Sequence, residues 1–299
     1  MKRRRVIISG ASGLVGSALS TYLLNAGYDV VRLVRRAALD ADEVRWSPGS
    51  GQIDAAIVSG SYAVVNLSGH NIASLWTKRT KELIRVSRIS ATRTLSEAIS
   101  AAPEPPQVYI SASAVGYYGD RGEARCTEET SCGEGFLAQV CRAWEATAAV
   151  DGPTRVVNFR TGLVLSLQGG LLAKMLPAFR CCLGGPLGDG SQYMSWIDLH
   201  DLVRAIHFVL DAEAISGPIN AAAPNPVTNE EFTRTLSRIL DRPAVFRVPE
   251  FLLRALPGNM GAEVFLAGVR AIPEKLLKSE FKFEHNVLDD CLRDLLKSS

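Results

Sequence analysis

No run of about 18 uninterrupted apolar residues occurs in the chain, so a membrane-crossing helix is not expected. An excess of charge of either sign is also missing. Lys and Arg total 33 against 31 Asp and Glu, a formal net charge of +2 over 299 residues, which gives no electrostatic reason to expect a nucleic-acid partner. The basic run Lys2-Arg3-Arg4-Arg5 is followed by only Val6-Ile7-Ile8 before a glycine, too short for a secretory apolar segment, and reads as a solvated tail. The cysteines Cys126, Cys132, Cys141, Cys181, Cys182 and Cys291 show no paired C-x-x-C spacing, and His70, His200, His207 and His285 form no H-E-x-x-H pattern. No metal site is therefore indicated, and the thiols are expected to be reduced, as in a cytoplasmic protein. Cys181 and Cys182 are adjacent, but neighbouring side chains point apart, which disfavours a disulfide between them. No internal repeat is visible.

What is present is an ordinary globular balance, 47% hydrophobic and 21% charged, enough for one large or two modest domains. Val6-Ile7-Ile8-Ser9 lacks polar alternation and suits a strand buried on both faces of a parallel sheet. It runs into Gly10-Ala11-Ser12-Gly13-Leu14-Val15-Gly16, after which apolar residues recur at helical spacing up to Gly27. Gly10 supplies a tight turn, Gly13 lets the main chain approach a pyrophosphate, and Gly16 lets the helix lie against the strand. An anion is expected on the helix N-terminus, beside Ser12, Leu14 and Val15. The spacing G-x-x-G-x-x-G is one residue longer in its first gap than the dehydrogenase fingerprint.

A second strand over 29–36 ends in Arg35 and Arg36 with no acidic residue there, which favours a 2′-phosphate and so NADP. A strand over 62–67 runs into Asn66-Leu67-Ser68-Gly69, placed along the cofactor because ligands bind at the carboxyl ends of such strands. A helix over 78–99 carries Ser87-Arg88, with Arg88 among the expected cofactor-binding residues, and prolines end it. The strand 108–111 leads into Ala112-Ser113-Ala114-Val115-Gly116-Tyr117-Tyr118-Gly119, where hydroxyls and phenols suit proton transfer at a carbonyl or alcohol. Ser113, Tyr117 and Tyr118 are the catalytic candidates, with a packing role for Tyr118 open as the alternative. A helix over 135–150 and a strand over 154–160 follow, and Arg160 and Val164 complete the cofactor-facing set. Beyond Gly169-Gly170 come the loop 184–190, a strand 193–197, helices over 198–210 and 229–240, and proline-separated short helices.

These residues resemble the short-chain dehydrogenase/reductase superfamily in its extended form. The likeness rests on Gly10, Gly13 and Gly16 and on the segment from Gly188-Asp189-Gly190 through Trp196-Ile197-Asp198. More narrowly, the chain is similar from end to end to atypical epimerase-family proteins of the cell-division-inhibitor-like type. Asn66-Leu67-Ser68-Gly69, Ser87-Arg88, Ser111 to Gly119, Trp144-Glu145, Gly184 to Gly188 and Asn220 to Pro226 carry that likeness. The resemblance implies an α/β fold, a doubly wound parallel-sheet Rossmann domain with a smaller mixed α/β, mainly helical C-terminal substrate lobe. The dinucleotide domain is expected over about 1–165, completed by about 196–222. The lobe takes about 166–195 and 223–299, with about 249–299 a small C-terminal domain. It implies an NADP-binding oxidoreductase or epimerase for a small, unidentified carbonyl or sugar-like substrate, in a monomer or homodimer. Superfamily members carry Tyr-x-x-x-Lys on the helix after the serine-bearing strand. Here Leu137 and Cys141 fill those places, so a different acid or a non-catalytic, NADP-dependent binding role is expected.

Overall fold

The computed structural model describes residues 4–297. Lys2 and Arg3 of the basic run lie outside these. Arg4 does not extend as a solvated tail: it pairs with Asp211 at 2.7 Å and stacks on the Tyr62 ring at 4.5 Å.

The first half of the chain alternates strand and helix: β1 (Arg5–Ser9), α1 (Leu14–Asn25), β2 (Asp29–Val34), β3 (Glu43–Arg45), α2 (Ala55–Val58), β4 (Ala63–Asn66), α3 (Lys78–Ser100) and β5 (Val108–Ala114). After β6 (Arg125–Cys126) come α4 (Phe136–Thr147), β7 (Arg155–Thr161), β8 (Leu163–Leu165), α5 (Gly170–Arg180), β9 (Tyr193–Met194), β10 (Trp196–Asp198), α6 (Leu199–Asp211) and β11 (Gly217–Ala221). Seven strands form one parallel sheet in the order β11-β7-β5-β4-β1-β2-β3. Such a sheet is covered on both faces, which is why β1 has no polar alternation. Val6 and Ile8 pack with Leu19 and Leu23 of α1 and with Leu202 and Ile206 of α6. Ile7 points the other way, toward Leu95 and Ile99 of α3. Side chains of this kind each contribute about 1.5–3 kcal/mol when fully buried.

The strand order reverses between β1 and β4, so the turns leaving these strands face each other at the carboxyl edge. Asn66 is buried at that edge: Ser9 Oγ donates to its Oδ1 at 2.7 Å, and its Nδ2 donates to Thr92 Oγ1 at 2.9 Å.

The remainder comprises β12 (Val227–Thr228), α7 (Asn229–Leu240), α8 (Glu250–Arg254), β13 (Arg270–Ala271), α9 (Glu274–Lys278) and α10 (Leu288–Lys297). Thr228 and Glu231 form a reciprocal capping box on α7. From this region β13 pairs in parallel with β6. Helix α5, where the sequence reading gave only a change of composition, packs Leu172, Leu176 and Phe179 against Phe232 and Leu236 of α7. Among the described residues no helix is long and apolar enough to cross a membrane.

One contact between α4 and the C-terminal region bears directly on the site. Helix α4 starts after Gly135, which has no side chain to cap it, and Leu137 N donates instead to Glu263 Oε2 at 2.8 Å. The carboxylate also meets the positive end of the helix dipole. Glu263→Ala is expected to cost about 1–2 kcal/mol in urea unfolding, the usual range for losing an N-terminal cap. An unchanged midpoint would show that the contact contributes nothing to folding.

Candidate functional site

The β1–α1 turn is shaped by backbone contacts. A Cβ on Gly16 would lie 2.2 Å from Gly10 O, and one on Gly10, whose φ is +72°, would lie 2.7 Å from the Leu67 carbonyl. Neither position accepts a side chain without moving main chain. Gly13 precedes α1 with no side-chain cap and no acidic residue follows in the first turn, so the amides near Leu14 and Val15 remain available to an anion. Ser12 is exposed in the same turn. Leu14 packs toward Gly169 and Gly170 at the start of α5, and a Cβ on Gly170 would meet Val164 O at 3.1 Å. The structure thus brings Gly10, Ser12, Gly13, Leu14, Val15, Gly16 and Val164 to one place, with Leu67 and Ser68 opposite. Ser68 Oγ donates to Ser9 Oγ at 3.0 Å. This cradle fits a dinucleotide pyrophosphate: close backbone, unspent amides, no competing acid.

Arg35 and Arg36 follow the end of β2 but differ in circumstance. Arg36 donates two hydrogen bonds of 2.7 Å to the buried Glu43 carboxylate, which is held down to about 2 by Arg36 and by Leu39 N–H. An acidic residue therefore does stand near this strand end, contributed by β3, and it occupies Arg36. Arg35 is exposed and has no ion-pair or hydrogen-bond partner among the described residues. Arg88 lies against Gly69, where a Cβ would be 3.2 Å from its Cζ, and it stacks on the Trp144 ring at 5.0 Å. Its Nη1 donates to His70 O and Ile84 O, both at 3.0 Å, so it braces the loop after β4. Burial lowers its pKa.

At the ends of β5 and β7 a second constellation forms. Ser113 Oγ donates to Glu145 Oε1 at 2.6 Å. Arg160 grips the same carboxylate with two bonds of 2.8 Å, and the pair is 3% and 11% exposed. Burial works against the Arg160 charge, but Glu145 and Tyr118 outweigh it and raise its pKa. The guanidinium stacks on the Tyr117 ring at 3.6 Å, and Tyr117 meets Tyr118 edge-on at 5.5 Å. Arg160 thus faces the tyrosines, and its bonds run to Glu145, Tyr118 and Glu128 O rather than to the phosphate turn.

The two tyrosines separate sharply. Tyr118 is wholly buried, with Oη 2.7 Å from Asn220 Oδ1 and 2.9 Å from Thr127 O, and accepts from Arg160 Nη1 at 3.0 Å. Burial pushes its phenol up to about 12. It serves as a strut, the packing alternative. Tyr117 is half-buried, and its hydroxyl has no hydrogen bond among the described residues. Leu137 closes on Gly116, 3.5 Å from where a Cβ would be, and Cys141 sits within hydrogen-bonding reach of Ser113. Burial first, and then Glu145, pushes the Cys141 thiol up to about 12, so it is not a thiolate at neutral pH. Glu145 and Asn220 stand in segments that carry the family resemblance but have no site role in the sequence, and Glu128 has no signal there, because only the fold brings Glu145 and Glu128 to Arg160 and Asn220 to Tyr118.

A sequence profile described as the NAD dependent epimerase/dehydratase family matches residues 6–222, and one described as a domain of unknown function, DUF1731, matches 248–295. The chain is 44% identical over 290 residues to Epimerase family protein Mb2239 of Mycobacterium bovis, covering 96% of each chain. It is 34% identical over 302 residues to Epimerase family protein SDR39U1 of Homo sapiens, covering 98% of this chain and 99% of that one. The crystal structure of human epimerase family protein SDR39U1 (isoform 2) with NADPH superposes with a TM-score of 0.90 at 31% identity, covering 99% of this chain and 100% of that one.

Removing one partner of the Glu145–Arg160 pair strands a buried charge. Glu145→Ala is therefore expected to cost about 3–5 kcal/mol in denaturant unfolding, and Glu145→Ala with Arg160→Met less than the sum of the single changes. Additive losses would contradict the pairing.

Proposed function

The chain belongs to the NAD dependent epimerase/dehydratase family, and on that premise we propose that it is an NADP(H)-binding oxidoreductase or epimerase acting on a small carbonyl or sugar-like substrate. The observation that carries the reading is the common edge. The glycine turn after β1 and the Ser113–Glu145–Arg160–Tyr117 cluster after β5 and β7 both lie at the carboxyl ends of one parallel sheet. NADP(H), when bound, supplies or accepts hydride.

The residues of this chain do the rest. Gly10, Gly13 and Gly16 admit the pyrophosphate to the α1 amides, and Arg35 meets the 2′-phosphate as an unpaired guanidinium. Tyr117 holds or moves the proton at the substrate oxygen, its ring fixed by Arg160. Ser113 has its proton committed to Glu145, since a carboxylate only accepts, so its oxygen is positioned as an acceptor for a substrate hydroxyl. Leu137 and Cys141, in place of the superfamily's Tyr and Lys, favour a second reading in which the protein binds NADP without turnover.

Arg35→Ala is expected to weaken NADPH binding by about tenfold, equal to about 1.4 kcal/mol, while leaving NADH binding unchanged. An equal loss for both cofactors would contradict the 2′-phosphate role. In assays of NADPH oxidation with a panel of small carbonyl compounds, Tyr117→Phe is expected to lower turnover by about 10²-fold or more without altering NADPH binding. No oxidation above a Gly13→Trp control, with NADPH binding intact in the wild type, would favour the binding role.

A further inference from the structure

Where the C-terminal segment crosses the end of β10, three metal-ligating side chains outside the cluster described above meet. One ligand atom from each of Asp198, His285 and Cys291 lies within 4.8 Å of the others. His285 Nδ1 stands 3.1 Å from Asp198 Oδ2, and Nε2 stands 3.1 Å from Asp294 Oδ2. The Asp198 side chain is 4% exposed, His285 15%, and Cys291 is wholly buried. The backbone is tied down as well, because Glu284 N and His285 N donate to the Asp201 carboxylate at 3.0 Å. The imidazole is therefore fixed in position before any ion arrives.

Several features of this cluster point to a borderline-soft divalent cation. The donors are one carboxylate oxygen, one imidazole nitrogen and one sulfur, a set that suits zinc, whereas calcium and magnesium take oxygens alone. The Cys291 thiol is wholly buried at the edge of an apolar cluster that includes Leu288 and Leu292, with Asp198 and His285 as its neighbouring ligand atoms. A carboxylate on the far ring nitrogen is the arrangement that orients a metal-bound histidine. Bonds of about 2.0–2.3 Å in a tetrahedron place ligand atoms about 3.3–3.6 Å apart, against 3.1 Å for Asp198–His285 and no more than 4.8 Å across the three, so small side-chain shifts suffice to close on an ion. With the imidazole neutral and the thiol deprotonated, the three side chains carry two negative charges, which one divalent ion cancels inside a buried site.

We propose that Asp198, His285 Nδ1 and Cys291 Sγ bind one zinc ion, with Asp294 orienting His285 through Nε2 and water completing the coordination from the partly exposed side. The ion fastens the C-terminal segment to the end of β10, a role independent of NADP binding.

The test uses the full-length protein, stripped with chelator, re-exposed to zinc and desalted. About one zinc per chain is expected, with a higher melting temperature than the stripped protein. Cobalt is expected to give a thiolate-to-cobalt charge-transfer band in the near ultraviolet. Cys291→Ser should abolish that band. Should this variant fail to fold, His285→Gln, on the more exposed ligand, should lose the stoichiometric ion. Asp294→Asn should retain the ion about 10–100-fold more weakly. Changing both Cys181 and Cys182 to Ser should leave binding intact. Failure of the stripped wild type to take up zinc or cobalt stoichiometrically overturns the proposal, leaving a histidine–carboxylate clasp. Loss of the ion in the Cys181/Cys182 variant overturns it equally, since the metal then belongs to that pair.

Discussion

Main chain on main chain at the β1–α1 turn is the contact on which the rest of the structure depends. Helix α1 crosses so close to the strand end that a single methyl at Gly16 would sit 2.2 Å from Gly10 O. That closeness aims the uncapped α1 amides at the edge where β1 and β4 diverge, and the loops after β4, β5 and β7 gather around the same edge. Arg88, half-buried between the β4 loop and Trp144, and Arg160, buried between Glu145 and the tyrosines, hold those loops. Such charges contribute little net stability by desolvation arithmetic, but each has few alternative positions once buried.

The C-terminal region is built into this edge. Glu263 caps the helix that bears Leu137, Cys141 and Glu145. Asn220 on β11 donates through Nδ2 to Cys126 O and Ile272 O while its Oδ1 meets Tyr118. The C-terminal region thus touches both α4 and the Asn220 partner of Tyr118.

Much of the fold was legible in the sequence because local signals agreed. The β-branched run of β1 and the three glycines each fix their element from a few neighbouring residues. Elements that depend on distant partners were not legible: β13 is two residues long and exists by pairing with β6, and α5 tolerates Pro177 because it packs on α7. The site divides in the same way. The phosphate turn is one contiguous stretch, whereas the partners that separate Tyr117 from Tyr118, and Arg35 from Arg36, come from Asn220, Arg160 and Glu43 elsewhere in the chain. Asp198, His285 and Cys291 are likewise too dispersed to show any ligand spacing.

The central claim, that the glycine turn binds a phosphorylated dinucleotide, is tested most directly by titrating the protein with NADPH, following cofactor fluorescence, and repeating the titration with Gly13→Trp. The structure predicts saturable one-site binding by the wild type, a melting rise equivalent to about 2.7 kcal/mol at a hundredfold excess over Kd, and neither effect in the variant. Absence of binding by the wild type, or equal binding by Gly13→Trp, would contradict it.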